Sequence, residues 1–259
     1  MIQFLSNLKN IFDFKIRKLT KFSKKNYVEK NEDKTDLFKI NELKKREEEL
    51  VSKYSLEEFR QNSTIRNYTD NLYLLDILDT HLHLQNQEHL DILDVGSKNW
   101  EYVKAEYYFF KAHSKNMCLN GIELDAHRLY SNFYSRSEVA KYHIKKLEDT
   151  EYIEGDFLKH NKKYDFIIWI LPFIKKYPHL QWGLPLEYFK PNEMVKHAHE
   201  CLKKNGQLFI VNQGKEEFEI QKQLCKQLSI EIQESHKIQS PFSNYKMDRY
   251  IVLSTKKEY

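Results

Sequence analysis

The sequence predicts a doubly wound α/β domain, with a mostly parallel seven-stranded sheet covered by helices on both faces and an N-terminal helical extension before it. Three observations carry that reading. From Ile92 onward, short apolar β-prone runs alternate with amphipathic stretches, the rhythm of a parallel sheet joined by crossover helices. Residues 1 to about 80 contain neither Gly nor Pro and place apolar residues at helical spacing among many Lys and Glu. The chain of 259 residues is long enough for one sizeable core with an appendage and short for two ordinary domains. The division falls at residues 1–84, a basic helical extension, and 85–259, the α/β domain.

Composition sets outer bounds. A hydrophobic share of 41%, with 14% aromatic, supplies enough apolar surface for a core, and 31% charged residues keep the exterior wet. The net charge of +4 does not by itself announce a nucleic-acid partner, so any basic contact site must be local. Cys118, Cys201 and Cys225 are odd in number and far apart, which resembles neither a disulfide framework nor a metal knuckle and fits a reducing cytoplasm. No stretch approaches the roughly 20 apolar residues a bilayer span needs, and no signal-peptide pattern follows the start.

In the extension, Leu5, Leu8, Phe12, Ile16 and Leu19 recur at helical spacing, interleaved with Lys9, Lys15, Arg17, Lys18, Lys21, Lys24 and Lys25. Two placements of this basic amphipathic helix are open. It packs on its own domain with a solvated basic face, or residues 1–30 contact an anionic membrane surface or RNA. Asn31 to Asp36 is a polar break, and Leu43 to Tyr54 is a charged helix with one solvated side. The predicted strands are Ile92–Val95, Met117–Leu124, Glu151–Ile153, Phe166–Leu171, Gln207–Asn212, Ile230–Ser235 and Arg249–Ser254. Helices are expected at about Trp100–Lys115, Ala126–Leu147, Pro191–Lys204 and Glu216–Leu228, with Pro191 at a first helical position and Asn205-Gly206 as a stop.

Chemistry-bearing residues gather at the carboxyl ends of the strands, where open α/β sheets bind ligands. Asp94-Val95-Gly96-Ser97-Lys98 follows the first strand; Gly96 permits a tight turn, after which free backbone N–H groups at a helix start can meet a polar ligand end. Glu123 ends the second strand, where two carboxylate oxygens can hold both hydroxyls of a ribose, and Asp125 is placed to cap the next helix. Asp156 and Phe157 close the third strand with an acceptor beside a flat ring, a pair suited to adenine. Tyr164 to Phe173 is a buried strand that opens into a proline-containing loop.

This ordered set resembles the class I S-adenosylmethionine-dependent methyltransferases, which have a Rossmann-like fold, over roughly residues 88 to 255. The turn Leu202-Lys203-Lys204-Asn205-Gly206 is similar to that family's Leu-Lys-x-Gly-Gly element. The resemblance implies a sheet whose last strand runs antiparallel, with Ser240-Pro241-Phe242-Ser243 in the final turn. It implies S-adenosylmethionine contacts at Asp94, Gly96, Glu123, Asp156 and Phe157, and a substrate side at Ile170 to Phe173; Ser97 and Lys98 of the same turn join the cofactor side, Lys98 as a cation for the methionine carboxylate, and Trp182 joins Leu171, Pro172 and Phe173 from the loop between Lys175 and Lys190. Two departures stand out. Lys98 and Trp100 occupy the second and third glycine positions of the first motif, and Ile170-Leu171-Pro172-Phe173 lacks the polar residue of amino-methylating members. The expectation is therefore methyl transfer to a small molecule or protein rather than to a DNA base. A non-catalytic binding module and an RNA methyltransferase anchored through residues 1–30 are the alternatives.

Methyl transfer is an in-line displacement that needs alignment and a dry pocket, and a base only where the acceptor must lose a proton. His179 is the weak candidate for that base. Trp169, Phe173, Tyr177 and Trp182 would suit an apolar or planar acceptor. His197 and His199, two apart on a helix, point to different faces and cannot share a metal, so no metal is expected. A dinucleotide oxidoreductase is disfavoured because Lys98 and Glu101 stand where its glycine fingerprint continues from Gly96.

Overall fold

The computed structural model describes residues 2–35 and 37–257, so Asp36 in the polar break and the final two residues of the 85–259 span lie outside the described residues. Seven strands form one sheet: β1 (Gln87–Val95), β2 (Ser114–Glu123), β3 (Thr150–Glu154), β4 (Tyr164–Ile170), β5 (Leu202–Gln213), β6 (Ile232–Ile238) and β7 (Arg249–Thr255). Their order is β3-β2-β1-β4-β5-β7-β6. All pairings are parallel except those of β7, which runs antiparallel to both β5 and β6. Each strand predicted from the sequence is present, with the antiparallel last strand the resemblance implied.

Period-two alternation sends successive side chains to opposite faces, and two cores result. One face carries Ile92, Leu119, Phe166, Ile168, Phe209 and Ile251; the other carries Leu93, Ile122, Ile167, Trp169, Ile210 and Val252. The second face is covered by α8 (Pro191–Glu200) and α9 (Gly214–Gln227) through Val195, Ala198, Phe218 and Leu224. The first is covered by α5 (Val103–Lys111) and α6 (Arg136–Ile144), together with helices that come before the sheet. Of these, α2 (Asn41–Tyr54) and α4 (Ile65–His81) bury Leu50, Tyr54, Leu72 and Leu75 in that same core, and α3 (Glu57–Gln61) adds Phe59. The first helix, α1 (Ile2–Thr20), instead lies against α7 (Lys176–Gln181). No described helix is long and apolar enough to cross a membrane.

Three boundaries differ from the sequence reading. The helix expected from Ala126 starts only at Arg136, because Ser135 is its N-cap and accepts from the Glu138 N–H at 3.1 Å. Asp125 therefore caps nothing; it is held by Arg17 and Arg128 instead. The helix after β1 starts at Val103 rather than Trp100, since a chain of positive-φ residues delays it. Asn205 and Gly206 do not stop a helix. α8 ends at Glu200, and the pair sits in β5 at a register shift, with Asn205 at φ 59° and the Gly206 Cα crowded by backbone carbonyls.

Candidate active site

The sheet order reverses between β1 and β4, the switch point where an open α/β sheet leaves a crevice. Above it lies a cavity of about 660 Å³, within the range of small-ligand sites. Asp94, Gly96, Ser97, Lys98, Glu123, Asp156 and Phe157 all line it, as do Leu171, Pro172, Phe173, His179 and Trp182. Thus the strand ends read from sequence converge on one space. What each residue offers there differs from its expected form.

The turn after β1 keeps a left-handed backbone without the usual glycines. Gly96 has φ 73°, and Lys98 and Trp100 take φ 58° and 49°, conformations that cost a residue with a Cβ about 1–2 kcal/mol each. Packing offsets that strain at Trp100. Its indole is buried beneath the turn, donates to Glu106 Oε2 at 2.9 Å and lies against Gly121, where a Cβ would come within 2.7 Å of the ring. Trp100 therefore props the turn from below and does not fill the cavity. The expected free N–H groups are absent at the start of this turn, since Gly96 and Ser97 both donate to the Ile122 carbonyl and Lys98 donates to Glu123. The Ser97 hydroxyl is buried beside this turn without a partner.

Glu123 is the electrostatic centre of the floor. Its Oε1 accepts from the Asp125 N–H at 2.8 Å and from Arg136 Nη1 at 3.0 Å, while Oε2 accepts from the Lys98 N–H at 2.9 Å. A carboxylate oxygen has two lone pairs, so Oε2 retains one acceptor direction. The sequence reading missed Arg136, which is buried in the cavity wall with its Nε unpartnered. The Ser135-x-x-Glu138 capping pattern could have located the helix start and with it this guanidinium. Beside Glu123, full burial and then the Glu123 charge push Asp94 up to about 8. Burial and the neighbouring Asp94 hold Glu106, beneath it, well above the carboxylate range.

At the third strand, Asp156 Oδ1 accepts from the Leu158 N–H at 3.1 Å, which turns the chain so that Phe157 packs against His197 with ring centres 4.9 Å apart. On the opposite side, Leu171 takes φ 56° at the end of β4, a second strained position facing the cavity. The segment from Phe173 to Phe189 forms the roof. Phe173 meets Trp182 at 5.9 Å and His179 at 5.7 Å, and the Trp182 ring lies 5.5 Å from Lys98 Nζ and 5.7 Å from the Arg136 guanidinium. Tyr177, expected in the same aromatic cluster, is exposed and outside it. His179 is buried with Nε2 at 2.8 Å from the Pro185 carbonyl, which only accepts, so Nε2 carries the proton and Nδ1 is the remaining acceptor. Burial lowers its pKa.

The roof is fastened by α1. Asn10 Nδ2 donates to the carbonyls of Leu180 and Leu184 at 2.9 and 3.1 Å, and Asn7 Oδ1 accepts from the Leu186 N–H at 2.8 Å. Arg17 makes two 3.0 Å bonds to Asp125 and a third to the Gly183 carbonyl. The far end of the cavity is closed by Arg66 and Asp70 of α4, and by Tyr102 and Tyr245, whose hydroxyls meet at 2.5 Å. Among the described residues one group could hold a metal ion, His81, Glu234 and His236. None of the three lines the cavity.

Strand order, the crevice at the β1/β4 switch and the acidic strand ends define the class I S-adenosylmethionine-dependent methyltransferase fold. A methyltransferase from Aquifex aeolicus, described as S-adenosylmethionine dependent, superposes with a TM-score of 0.52 at 14% identity, over 71% of this chain and 90% of its own. The [4+2]-cyclase SpnF superposes with a TM-score of 0.50 at 11% identity, over 76% of this chain and 82% of its own. No protein-family model and no curated protein matches the chain.

Proposed function

We propose that this chain is a methyltransferase that binds S-adenosylmethionine over the turn at Gly96 and transfers its methyl group to a small, apolar or planar acceptor. One observation carries the reading: Glu123, with an acceptor direction still open on Oε2, and the turn at Gly96, Ser97 and Lys98 share the wall of a single cavity large enough for a nucleoside. The cofactor would bring an activated methyl carbon on a sulfonium, so the chain need supply only binding, alignment and exclusion of water. Glu123 would accept from the ribose, Lys98 would pair with the methionine carboxylate, and Asp156 and Phe157 would bound the adenine. Leu171, Pro172, Phe173 and Trp182 would line the acceptor side under the roof. In this arrangement residues 85–259 are the catalytic unit, and residues 1–84 are an extension that closes one face and the roof.

A second reading, a binding module without catalysis, is favoured by one feature. The buried Arg136–Glu123 pair takes Oε1 of that carboxylate, so a ribose would have one oxygen to hold it rather than two. Calorimetric titration of the full chain with S-adenosylmethionine tests the first step, with a dissociation constant on the order of 10–100 μM expected. Lys98→Ala, a change at a half-exposed side chain, should weaken it about tenfold if the carboxylate contact is made. No heat at millimolar cofactor overturns the proposal. Binding without methyl transfer across a panel of small aromatic acceptors would move the assignment to the second reading.

A further inference from the structure

We infer that α1 is an in-plane docking helix for an anionic lipid bilayer. The helix has two faces, and they are reversed from what a helix packed on its own domain would show. At 100° per residue, Asn7, Asn10, Phe14 and Arg17 form one stripe, and this stripe meets the protein: Asn7, Asn10 and Arg17 hold the roof, and Phe14 packs on Tyr188. On the opposite side lie Phe4, Leu5, Leu8, Phe12, Ile16 and Leu19, from 43% exposed at Ile16 to 83% at Leu19. The stripe that carries Asn7, Asn10 and Arg17 with Phe14 faces the protein, and the wholly apolar stripe faces outward.

Six large apolar side chains in one continuous stripe on a solvent-facing helix need an apolar partner. Charge selects which one. Lys9 and Lys15 flank the stripe on either side, Lys18 lies beyond, and Lys21 continues past the end of the helix, all exposed. Among residues 1–25 the acidic residue is Asp13 alone, against seven Lys and Arg. A bilayer with anionic headgroups satisfies both features at once, because the apolar stripe enters the acyl boundary while the lysines stay at headgroup level. RNA would meet the lysines and leave the stripe in water. A second copy paired through the same face would set lysines against lysines. Docking would bring the bilayer to the helix that fastens the cavity roof, without requiring the cofactor assignment.

Co-sedimentation of the full chain with vesicles tests this. The chain should bind vesicles of equal phosphatidylglycerol and phosphatidylcholine at least about tenfold more tightly than pure phosphatidylcholine, and the preference should collapse between about 0.05 M and about 0.5 M salt. Leu8→Asp with Phe12→Asp should reduce binding about tenfold or more while the thermal melt stays unchanged, since both side chains are exposed. Lys9→Gln, Lys15→Gln and Lys18→Gln together should remove the anionic preference alone. Three results would each overturn the inference: no binding to anionic vesicles, binding indifferent to the Leu8 and Phe12 changes, or binding to polyuridylate RNA or self-association in place of vesicle binding.

Discussion

The floor of the cavity and its roof are held by different kinds of bond. The floor is built from neighbours in the sheet. Gly96 and Ser97 donate to Ile122 one strand over, Lys98 and Asp125 donate to Glu123, and the indole of Trp100 fills the space above Gly121. The roof is a short helix and a 3₁₀ turn whose anchors come from α1, more than 160 residues away in sequence. A floor of strand ends is rigid because ladder bonds and close packing over-determine it. A roof held by a few side-chain bonds to backbone groups opens at lower cost, which is what a cavity that must admit a ligand needs.

That contrast can be broken or sharpened by substitution. The largest effect is expected on the floor at Arg136→Ala, which leaves Glu123 buried without its cation; a loss of about 3–5 kcal/mol in denaturant melts is expected. If the loss is below about 1 kcal/mol, the floor's electrostatic centre lies elsewhere. Gly121→Ala comes next. The added methyl meets the buried Trp100 ring rather than open space, so about 2–3 kcal/mol should be lost.

A smaller effect of opposite sign is expected at Asp94. Its folded-state pKa of about 8 lies above the 3.8 of an ordinary aspartate, so the folded chain holds an extra proton between those values and stability falls as pH rises through that window. Asp94→Asn removes the slope. The variant should melt higher than the parent at about pH 9 and converge with it below about pH 4. The smallest effect belongs to the roof. Asn10→Ala removes two hydrogen bonds to it and should cost about 1 kcal/mol, with faster amide exchange confined to residues 175–190. Exchange that accelerates equally on the floor would erase the distinction.

Much of this was readable in the linear chain. Alternating apolar runs marked all seven strands, and the acidic or glycine-bearing residues that end them, Asp94, Gly96, Glu123 and Asp156, do line one cavity. The departures were legible too, since Lys98 and Trp100 stand at the glycine positions. What they do was not: both keep the left-handed backbone, and Trp100 drops beneath the turn onto Gly121. Arg136 escaped because the helix was drawn ten residues too early. The span from Asp125 to Ser135 is a loop held together by Asp125, Arg128 and an isolated bridge, none of which has a periodic signature.

Strand periodicity and the residues at strand ends are local properties, so the sequence by itself determined the seven strands and the gathering of polar residues at their carboxyl ends, while it pointed to one core where the sheet separates two. Only the tertiary structure decided which groups close the crevice and which face of α1 is buried. Amphipathic spacing shows that a helix has two faces, but the buried one is chosen by the partner it meets. Here that partner is a roof whose backbone carbonyls and one N–H select Asn10, Arg17 and Asn7 over leucines. Likewise α5 has no side-chain cap of its own, and Asn71 of α4 accepts from the Ala105 N–H at 2.8 Å in its place. Such bonds join residues far apart in the chain, and their energies exist only once the fold has brought them together.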